Sequence, residues 1–417
     1  MSQRTNVLVL GGGYAGLMAA MRLAKKTDAT VAITLVNASG GFRERVRNHQ
    51  LAAGQPVPQH SLSSFLRRTR IRFLQGTVVA LQPDRRQVTV QTEAGVQSAP
   101  YDFLLYALGS SVGTNGVPGV QEYAYRLNHA STVSLAERLP GVARRGGRLL
   151  IVGGGNTGVE VATELAETYP GLKITLATRR SFAHNLSSRA RAYIRKRFDR
   201  LGIRFMEGTT ITQLREHSAL TADGDTLPFD ACLWVGGFAV SDLAGRSGIR
   251  VNERGQILID RAMRSLSHPE IYAVGDAAHP AEAPGAPIRM AVYTALLMGA
   301  HGADCLAARL SGKSPTAFGL SYGALGLSLG GRDGVVQFLD GGRDTPLDLI
   351  LTGRLANLFR EFFVHFAVWG IKAQRVVPWA FVWPGKNKMR GVAVDMPRGA
   401  PPRACARGIA GAGRTVT

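Results

Sequence analysis

Glycines with the spacing of a phosphate-binding turn occur twice in the chain. Gly11, Gly13 and Gly16 follow an apolar segment and precede a helical pattern, and a second G-x-G-x-x-G begins 142 residues later. The first glycine of such a turn makes the tight bend, the second lets the backbone approach a pyrophosphate, and the third lets helix and strand pack closely. The helix N-terminus then faces the phosphates. The repetition predicts two dinucleotide-binding sites. The second set consists of Gly153, Gly155 and Gly158.

The residue at the end of the next strand in each unit selects the nucleotide. An acidic residue there accepts hydrogen bonds from ribose hydroxyls. In the first unit the position is Asn37, whose side-chain carbonyl can still accept one such bond. In the second it is Thr178, followed by Arg179 and Arg180. Because guanidinium groups pair with phosphates in a bidentate way, this pattern predicts NADPH in preference to NADH. The alternative is a solvated loop edge.

Each glycine turn lies within a strand–turn–helix–strand unit. The segments "NVLVL" and "RLLIV" are typical of buried strands, and "VAITLVN" and "KITLATR" of the strands that follow the helices. A third motif, "IYAVGD", is an apolar strand that ends at Gly275 and Asp276. An aspartate at a strand end can accept hydrogen bonds from a sugar alcohol, and the glycine permits close approach of the backbone.

In this order, the two glycine turns and the aspartate resemble the pyridine-nucleotide-dependent flavoprotein reductases of the glutathione-reductase structural class, over about residues 5 to 310. The resemblance implies an α/β fold with two Rossmann-like dinucleotide-binding domains, for FAD and NAD(P)H, and a C-terminal α+β extension. The predicted parts are an FAD-binding domain at 1–125 plus 245–320, an NAD(P)H-binding domain at 126–244, a C-terminal interface or membrane-facing module at 321–385 and a disordered tail at 386–417.

The resemblance also implies the residues that bind the cofactors. The FAD contacts are Gly11, Gly13, Tyr14, Ala15, Gly16, Asn37, Arg45, Val78, Gly109, Asp276 and Met290. The NAD(P)H contacts are Gly153, Gly155, Asn156, Thr157, Gly158, Glu160, Thr178, Arg179, Arg180 and Gly237. Glu160 matches the glutamate that lies near the nicotinamide in this family, and a helix-surface glutamate is the alternative.

The segment "FRERVRNHQLAAG" stands where disulfide reductases of this class carry a cysteine pair, and it has no cysteine. No thiolate can form there, so the flavin must pass electrons directly to an acceptor, as in type II NADH dehydrogenases, apoptosis-inducing-factor-like proteins and ferredoxin reductases. Arg47 and His49 are predicted to face the flavin from this segment. The alternatives are a solvated arginine and a structural histidine.

The chain resembles type II NADH dehydrogenases most, but it departs from their quinone-site motif, A-Q-x-A-x-Q. The aligned segment is "VYTALL", with Tyr293 and Leu297 in place of the glutamines. This departure puts a respiratory quinone in doubt. Tyr293 either hydrogen-bonds a carbonyl or hydroxyl substrate or is a half-buried core residue. A helix is predicted to open at "PIRMAVYTAL", with its positive N-terminal end facing the flavin.

The predicted function is an FAD-dependent NAD(P)H oxidoreductase that passes electrons to a quinone-like or other small conjugated acceptor. Glu160, Tyr293 and His49 are the candidate catalytic residues. Three alternatives remain: a tailoring flavoenzyme for an aromatic metabolite, a ferredoxin reductase, and a nucleotide-binding sensor without turnover.

Composition and the C-terminal segment limit the partners. The net charge is +21, but no basic run is interleaved with aromatic residues, so no nucleic-acid partner is expected. Three scattered cysteines form no metal-ligand cluster. The segment "TGRLANLFREFFVHFAVWGIKAQ" predicts an amphipathic helix. The helix either lies on an anionic membrane surface or covers a homodimer interface or the protein's own core. The expected location is cytoplasmic, at the inner face of the plasma membrane if the helix meets lipid.

Overall fold

Two five-stranded parallel sheets form the frame of the molecule in the computed structural model, which describes residues 4–281, 288–341 and 343–378. The predicted disordered tail lies outside the described residues. The first sheet has the spatial order Ile271–Ala273, Phe103–Tyr106, Thr5–Leu10, Val31–Asn37 and Ile71–Gln75. The second has the order Tyr125–Arg126, Ala231–Trp234, Arg148–Val152, Lys173–Ala177 and Arg204–Met206. The predicted α/β fold class is confirmed.

Six smaller sheets accompany the two parallel sheets in the described part of the chain, three with three strands and three with two strands. The three-stranded sheets are Thr77–Gln82, Gln87–Thr92 and Gly95–Pro100; Ile211–Arg215, Ser218–Thr221 and Thr226–Pro228; and Ala324–Ser328, Gly334–Asp340 and Thr345–Thr352. The two-stranded pairs are Gly41–Arg43 with Gln59–Ser61, Ser110–Val112 with Phe238–Val240, and Ile257–Ile259 with Ala278–Pro280. The second pair joins the two parts of the chain that carry the parallel sheets.

Helices cover both parallel sheets. The α-helices span Tyr14–Lys26, Asn48–Ala52, Leu62–Leu66, Val120–Tyr123, His129–Arg144, Asn156–Thr168, Ser188–Arg200, Leu243–Arg246, Val292–Leu310 and Gly353–Ala373. The 3-10 helices span Arg45–Arg47, Pro83–Arg85 and Gly275–Ala277. The predicted boundary between residues 125 and 126 falls within the strand Tyr125–Arg126, which pairs with a strand of the second sheet.

The N-terminal helix, Tyr14–Lys26, packs closely against the helix Val292–Leu310. A Cβ atom at Gly299 would lie 2.3 Å from the carbonyl oxygen of Ala15, so only glycine allows the two backbones this approach. Further along the contact, Arg22 donates two hydrogen bonds of 2.7 Å to the carboxylate of Asp304. This crossing brings the N-termini of both helices to one side of the first sheet.

The C-terminal module consists of the third antiparallel sheet and the helix Gly353–Ala373, called the C-terminal helix below. One side of this helix is buried, at Ala356, Arg360, Val364, Ala367 and Ile371. These positions repeat every three or four residues, which is the spacing of one helical face. The C-terminal helix therefore packs on the rest of the chain through a face that contains one buried arginine.

Candidate functional site

The first glycine turn has the geometry of a phosphate cradle. Gly11 has a φ of +100°, and a Cβ at Gly16 would lie 1.9 Å from the carbonyl oxygen of Gly11, so neither position accepts a side chain. A Cβ at Gly13 would meet no atom within 4 Å. Gly13 precedes the helix Tyr14–Lys26, whose first turn carries no acidic residue and whose N-terminus has no side-chain cap. Free backbone N–H groups and open space at Gly13 fit a pyrophosphate.

Two strand ends flank this cradle. Asn37 accepts a 2.8 Å hydrogen bond from the backbone N–H of Gly12 on its side-chain oxygen, which retains a second lone pair. Asp276 accepts a 2.6 Å hydrogen bond from Ser110 on Oδ2. Burial raises the pKa of Asp276, against the effects of Ser110 and the nearby Arg45. Both side chains offer acceptor atoms to sugar hydroxyls, as the family resemblance implies for the FAD site.

The other predicted FAD contacts lie around the same edge of the first sheet. Tyr14 is buried edge-on against Phe42, with ring centroids 4.9 Å apart, and its hydroxyl has no hydrogen-bond partner in the described part of the chain. Arg45 donates a 2.7 Å hydrogen bond to the carbonyl of Ser110. Gly109 has a φ of +69° and faces open space. Of the remaining three, Ala15 is buried, and Val78 and Met290 are half-buried.

The helix Val292–Leu310 begins next to this region, as its sequence predicts. Ala291 is its N-cap residue, no side chain caps it, and no acidic residue lies in its first turn. Its N-terminus thus keeps its partial positive charge. Within the first turn Tyr293 is 39% exposed, and its ring centroid lies 6.0 Å from that of Tyr322. Leu297, one turn later, is buried.

The second glycine turn repeats the geometry of the first. Gly153 has a φ of +122°, and a Cβ at Gly158 would lie 1.8 Å from the carbonyl oxygen of Gly153. Gly155 is open and precedes the helix Asn156–Thr168, which again has no side-chain cap and no acidic residue in its first turn. The buried Oδ1 of Asn156 has no hydrogen-bond partner among the described residues. An uncapped helix end and an unpaired acceptor fit a second dinucleotide.

Of the other residues predicted at this second site, Thr157 follows Asn156 in the first turn of the helix and is half-buried. Gly237 has a φ of +141°, and a Cβ there would lie 3.6 Å from the side-chain oxygen of Asn115. Each of these residues follows the carboxyl end of a strand of the second sheet, Arg148–Val152 for Thr157 and Ala231–Trp234 for Gly237.

Thr178 fills the position at which a carboxylate is expected. Its side chain is buried, and a Cβ at Gly154 would lie 2.7 Å from its Oγ1. The next two side chains, Arg179 and Arg180, are exposed and have no ion-pair or hydrogen-bond partner in the described ranges. Burial lowers the pKa of His184, and Arg180, Arg191 and Arg289 lower it further. A positive field therefore covers this edge of the second site.

Glu160 lies on the first turns of the helix Asn156–Thr168 and contacts the C-terminal module. Its Oε1 accepts hydrogen bonds from Arg360 at 3.2 Å and from the backbone N–H of Ser328 at 3.1 Å. Burial raises the pKa of Glu160, while Arg360 and Ser328 lower it. Its side chain is 16% exposed, and its Oε2 forms no hydrogen bond with the described residues. That oxygen remains available for a ligand.

A network of charges that the sequence reasoning missed connects Glu160 with the segment predicted to face the flavin. Arg360 donates to Glu361 at 2.7 Å and to the carbonyl of Val46 at 3.0 Å. Arg47 donates to Glu361 at 2.8 Å and to Glu44 at 2.9 Å. Arg47 is therefore a buried, paired cation and not a solvated one. The sequence feature that could have indicated this network is Arg360, the arginine on the buried face of the C-terminal helix.

His49 lies in the short helix Asn48–Ala52, which packs on the helix Asn156–Thr168. The side chain is buried, and its Nε2 lies 3.9 Å from Oε2 of Glu164. Neither atom has a hydrogen-bond partner among the described residues. The structure thus places His49 at the contact between the two nucleotide-binding parts of the chain.

The predicted aromatic face of the C-terminal helix does not cover the protein's own core. Its large apolar side chains point outward, with Phe362 63% and Trp369 58% exposed. We call this set the apolar face. It consists of Leu355, Leu358, Phe362, Phe363 and Trp369. No helix within the described residues is long and apolar enough to span a bilayer.

Comparison with known proteins places this geometry in a family. The profile described as pyridine nucleotide-disulphide oxidoreductase matches residues 5–299. A type II NADH:quinone oxidoreductase of Staphylococcus haemolyticus is 26% identical over 367 residues, which cover 80% of this chain and 89% of that protein.

Among solved structures, NDH2 from Plasmodium falciparum in complex with NADH superposes with a TM-score of 0.77 at 14% identity, covering 90% of this chain and 97% of that one. An engineered water-forming NADPH oxidase bound to NADPH gives a TM-score of 0.66 at 20% identity, covering 81% and 76%. At these identities the two structures show the same fold.

Proposed function

The chain belongs to the pyridine nucleotide-disulphide oxidoreductase family and is an FAD-dependent NAD(P)H oxidoreductase, and we propose that it oxidises NADPH in preference to NADH and reduces a quinone-like acceptor. The observation that carries the nucleotide preference is the second strand end, where Thr178 stands against Gly154 and two unpaired arginines follow it. The acceptor class rests on the likeness to type II NADH:quinone oxidoreductases over most of the chain.

The charges at the second site suit a 2′-phosphate. Arg179 and Arg180 have no protein partner in the described ranges, so a phosphate need not displace an ion pair to reach them. The pKa of His184, lowered by burial and by Arg180 among other cations, indicates that Arg180 lies close to it. In the engineered NADPH oxidase an aspartate is replaced by alanine and the following alanine by arginine. This chain likewise has no carboxylate at Thr178 and has an arginine directly after it.

The residues of the chain bind and orient the two cofactors on opposite parts of the fold. FAD, when bound, supplies the hydride-accepting chemistry. The first glycine turn and Asp276 would hold its pyrophosphate and sugar alcohol, and the second glycine turn would hold the nicotinamide nucleotide. The uncapped N-terminus of the helix Val292–Leu310 favours negative charge on the group before it. Glu160 would contact the nicotinamide with its free Oε2.

The two cysteines among the described residues do not fit thiol chemistry. Cys232 and Cys305 are buried in a strand and a helix, and burial raises the pKa of both thiols. A thiol that stays protonated is a poor nucleophile. Electrons therefore pass from the flavin to a separate acceptor. Tyr293, half-exposed beside Tyr322, is the residue we propose to hydrogen-bond the acceptor's oxygen.

A second candidate follows from the same tyrosine. Tyr293 and Leu297 stand where the quinone-site glutamines are expected, which favours an aromatic metabolite as the substrate of a tailoring enzyme. Ring stacking against Tyr293 and Tyr322 would bind such a molecule. Steady-state rates with menadione, with a panel of hydroxylated aromatic compounds and with ferredoxin separate the acceptor classes. Ferredoxin as the only reduced acceptor would overturn both candidates.

We propose that the apolar face seats the enzyme on an anionic membrane surface. The net charge of +21 supplies attraction to anionic head groups, and the exposed aromatic side chains supply interfacial contact. Co-sedimentation with phosphatidylglycerol vesicles should exceed that with phosphatidylcholine vesicles, and Phe362→Ser with Trp369→Ser should abolish it. A stable dimer in light scattering that the double variant dissociates would instead assign the face to a second copy.

The first experiment on the main proposal is anaerobic stopped-flow reduction of the FAD-loaded protein by NADPH and by NADH. We expect fast reduction with NADPH preferred. A preference for NADH would mean that Arg179 and Arg180 are surface charges without a role in nucleotide selection. No reduction by either nucleotide would refute the reductase function and leave a substrate-oxidising flavoenzyme or a nucleotide-binding sensor.

A further inference from the structure

Two buried polar atoms face each other without a partner at the contact between the short helix Asn48–Ala52 and the helix Asn156–Thr168. They are Nε2 of His49 and Oε2 of Glu164, 3.9 Å apart. The residues are only 3% and 1% exposed, and neither atom has a hydrogen bond in the described part of the chain. Unsatisfied buried polar atoms are costly, so a pair that faces each other in this way calls for a shared proton or a bridging water.

The protonation of the pair follows from its surroundings. The backbone of Val46 raises the pKa of His49 against the effect of burial, and since Nε2 has no partner among the described residues, we infer that Nδ1–H faces this backbone. Nε2 then carries a lone pair and can only accept. The Oε1 of Glu164 accepts a 2.6 Å hydrogen bond from Gln55, which leaves Oε2 as the position for a proton.

The charged groups around the pair point in the same direction. Burial lowers the pKa of His49, and Arg360 and Arg47 lower it further. Burial raises the pKa of Glu164, with Glu167 and Glu160 adding to the rise, while Gln55 and Arg360 act against it. Both shifts act toward the neutral form of each group, which is an uncharged imidazole beside a protonated carboxyl. This form carries one proton between the two residues and no net charge.

The pair is connected to the cofactor cleft by the spacing of the helix. Glu160 lies four residues before Glu164, so the two carboxyl groups stand on the same face, one turn apart. Glu160 is the outer member, with Oε2 free and its side chain partly exposed, and Glu164 is the inner one. The order from the cleft inward is Glu160, Glu164, His49.

The stoichiometry of the proposed reaction requires one such proton. A quinone takes up two electrons and two protons to become a quinol. NADPH supplies both electrons and one proton as hydride, so one further proton must come from the protein or the solvent. We propose that Glu164 and His49 hold this proton in the domain contact and release it through Glu160 into the cofactor cleft, from which the reduced acceptor takes it up. The inference rests on the proposed reduction of a quinone-like acceptor.

The test separates proton delivery from electron transfer. Glu164→Gln keeps the shape and the contact with Gln55 but carries no exchangeable acidic proton. Reduction of the flavin by NADPH needs no proton from the pair, and oxidation of the reduced enzyme by ferricyanide takes up none. We therefore expect both rates to stay at the wild-type value, while reduction of menadione slows by about 100-fold, the loss typical of a general acid. His49→Asn retains a donor toward Val46 but removes the Nε2 lone pair. It should slow the reduction of menadione by a similar factor.

A matched variant and a measurement without turnover complete the test. Glu216→Gln makes the same change at a carboxylate that is 78% exposed, in the turn between the strands Ile211–Arg215 and Ser218–Thr221, and should leave every rate unchanged. The infrared spectrum of the oxidised enzyme should show the carbonyl band of a protonated carboxylic acid that is absent in Glu164→Gln.

Three results overturn the inference. They are wild-type menadione rates in Glu164→Gln, an equal loss with menadione and ferricyanide, and an unchanged infrared band. A wild-type protein that NADPH does not reduce would instead refute the proposed function, and the infrared band would still decide whether Glu164 is protonated.

Discussion

We expect a carboxylate at the end of the second strand to reverse the proposed preference for NADPH. Thr178→Asp places a negative charge at a buried position that contacts Gly154, close to where a 2′-phosphate would lie. Thr178→Val is the matched control, since it keeps the branched shape of threonine without charge or hydroxyl. The two variants separate an electrostatic effect from a packing effect at one position.

The size of the effect follows from Coulomb's law at short range. Two unit charges about 5 Å apart interact by about 0.8 kcal/mol in water and about 3 kcal/mol at the effective dielectric of a protein surface. A phosphate that is nearly dianionic should thus lose about 2–3 kcal/mol of binding, which is about 30- to 150-fold in affinity for NADPH. For NADH the carboxylate can accept the ribose hydroxyls, worth about 1 kcal/mol or about fivefold tighter binding.

The measurement is the apparent Kd of each nucleotide from the concentration dependence of anaerobic flavin reduction. We expect Thr178→Asp to weaken NADPH and strengthen NADH, and Thr178→Val to change both little. Arg180→Ala should weaken NADPH by about 10- to 100-fold, through one lost charge-assisted bond, with little effect on NADH. Added salt should shrink the NADPH effects. If Thr178→Asp weakened both nucleotides equally, the position would not face a phosphate and the reasoning would fail.

Three further predictions concern stability and cofactor loading. Gly16→Ala should prevent stable folding or cost several kcal/mol, because its Cβ would overlap a backbone oxygen, whereas Gly13→Ala should fold and lose bound FAD, as read from flavin absorbance. Asp304→Asn should lower stability by about 2–4 kcal/mol at neutral pH. Burial alone would raise the pKa of this carboxyl, but two basic residues of the N-terminal helix hold it below the ordinary value. Its contribution is thus present above pH 3.8 and lost as the pH falls through the folded pKa, so the gap in Tm should narrow in acid. Arg360→Met should raise the pKa of Glu160 further above its ordinary value, to which burial already adds. A carboxyl whose pKa is raised by folding contributes stability at low pH, and that contribution is lost as the pH rises through the folded pKa. The Tm deficit of this variant should therefore be larger at pH 8 than at pH 5, and an equal deficit would indicate packing alone.

The glycine turns could be predicted from the sequence because their requirements are local. Gly11 needs a positive φ and Gly16 needs a missing Cβ, and both demands arise within one strand–turn–helix unit. The same holds for Asp276, which follows its strand directly. Where a function depends on the path of a short segment, the residue types at fixed spacing are sufficient to recognise it.

The charge network around Arg360 could not be predicted in this way. Arg360 and Glu160 are 200 residues apart, and Arg47 and Glu361 are 314 apart. Their pairing depends on how the C-terminal helix packs across two other parts of the chain, which no local pattern specifies. The same reason explains why sequence reasoning found His49 but not Glu164, its neighbour in the fold.

The C-terminal helix has two faces with different tasks, and the charges explain why both are needed. On the buried face, Arg360 contacts Glu160 of the helix Asn156–Thr168 and the carbonyl of Val46, which lies in the segment predicted to face the flavin. A charge held by partners from two parts of the chain fixes their distance, because separating them would leave buried carboxylates without a cation. On the other side, the apolar face leaves Phe362 and Trp369 exposed. Whatever covers that face binds the same helix that contacts Glu160, and we expect binding there to change the geometry of the proposed nucleotide site.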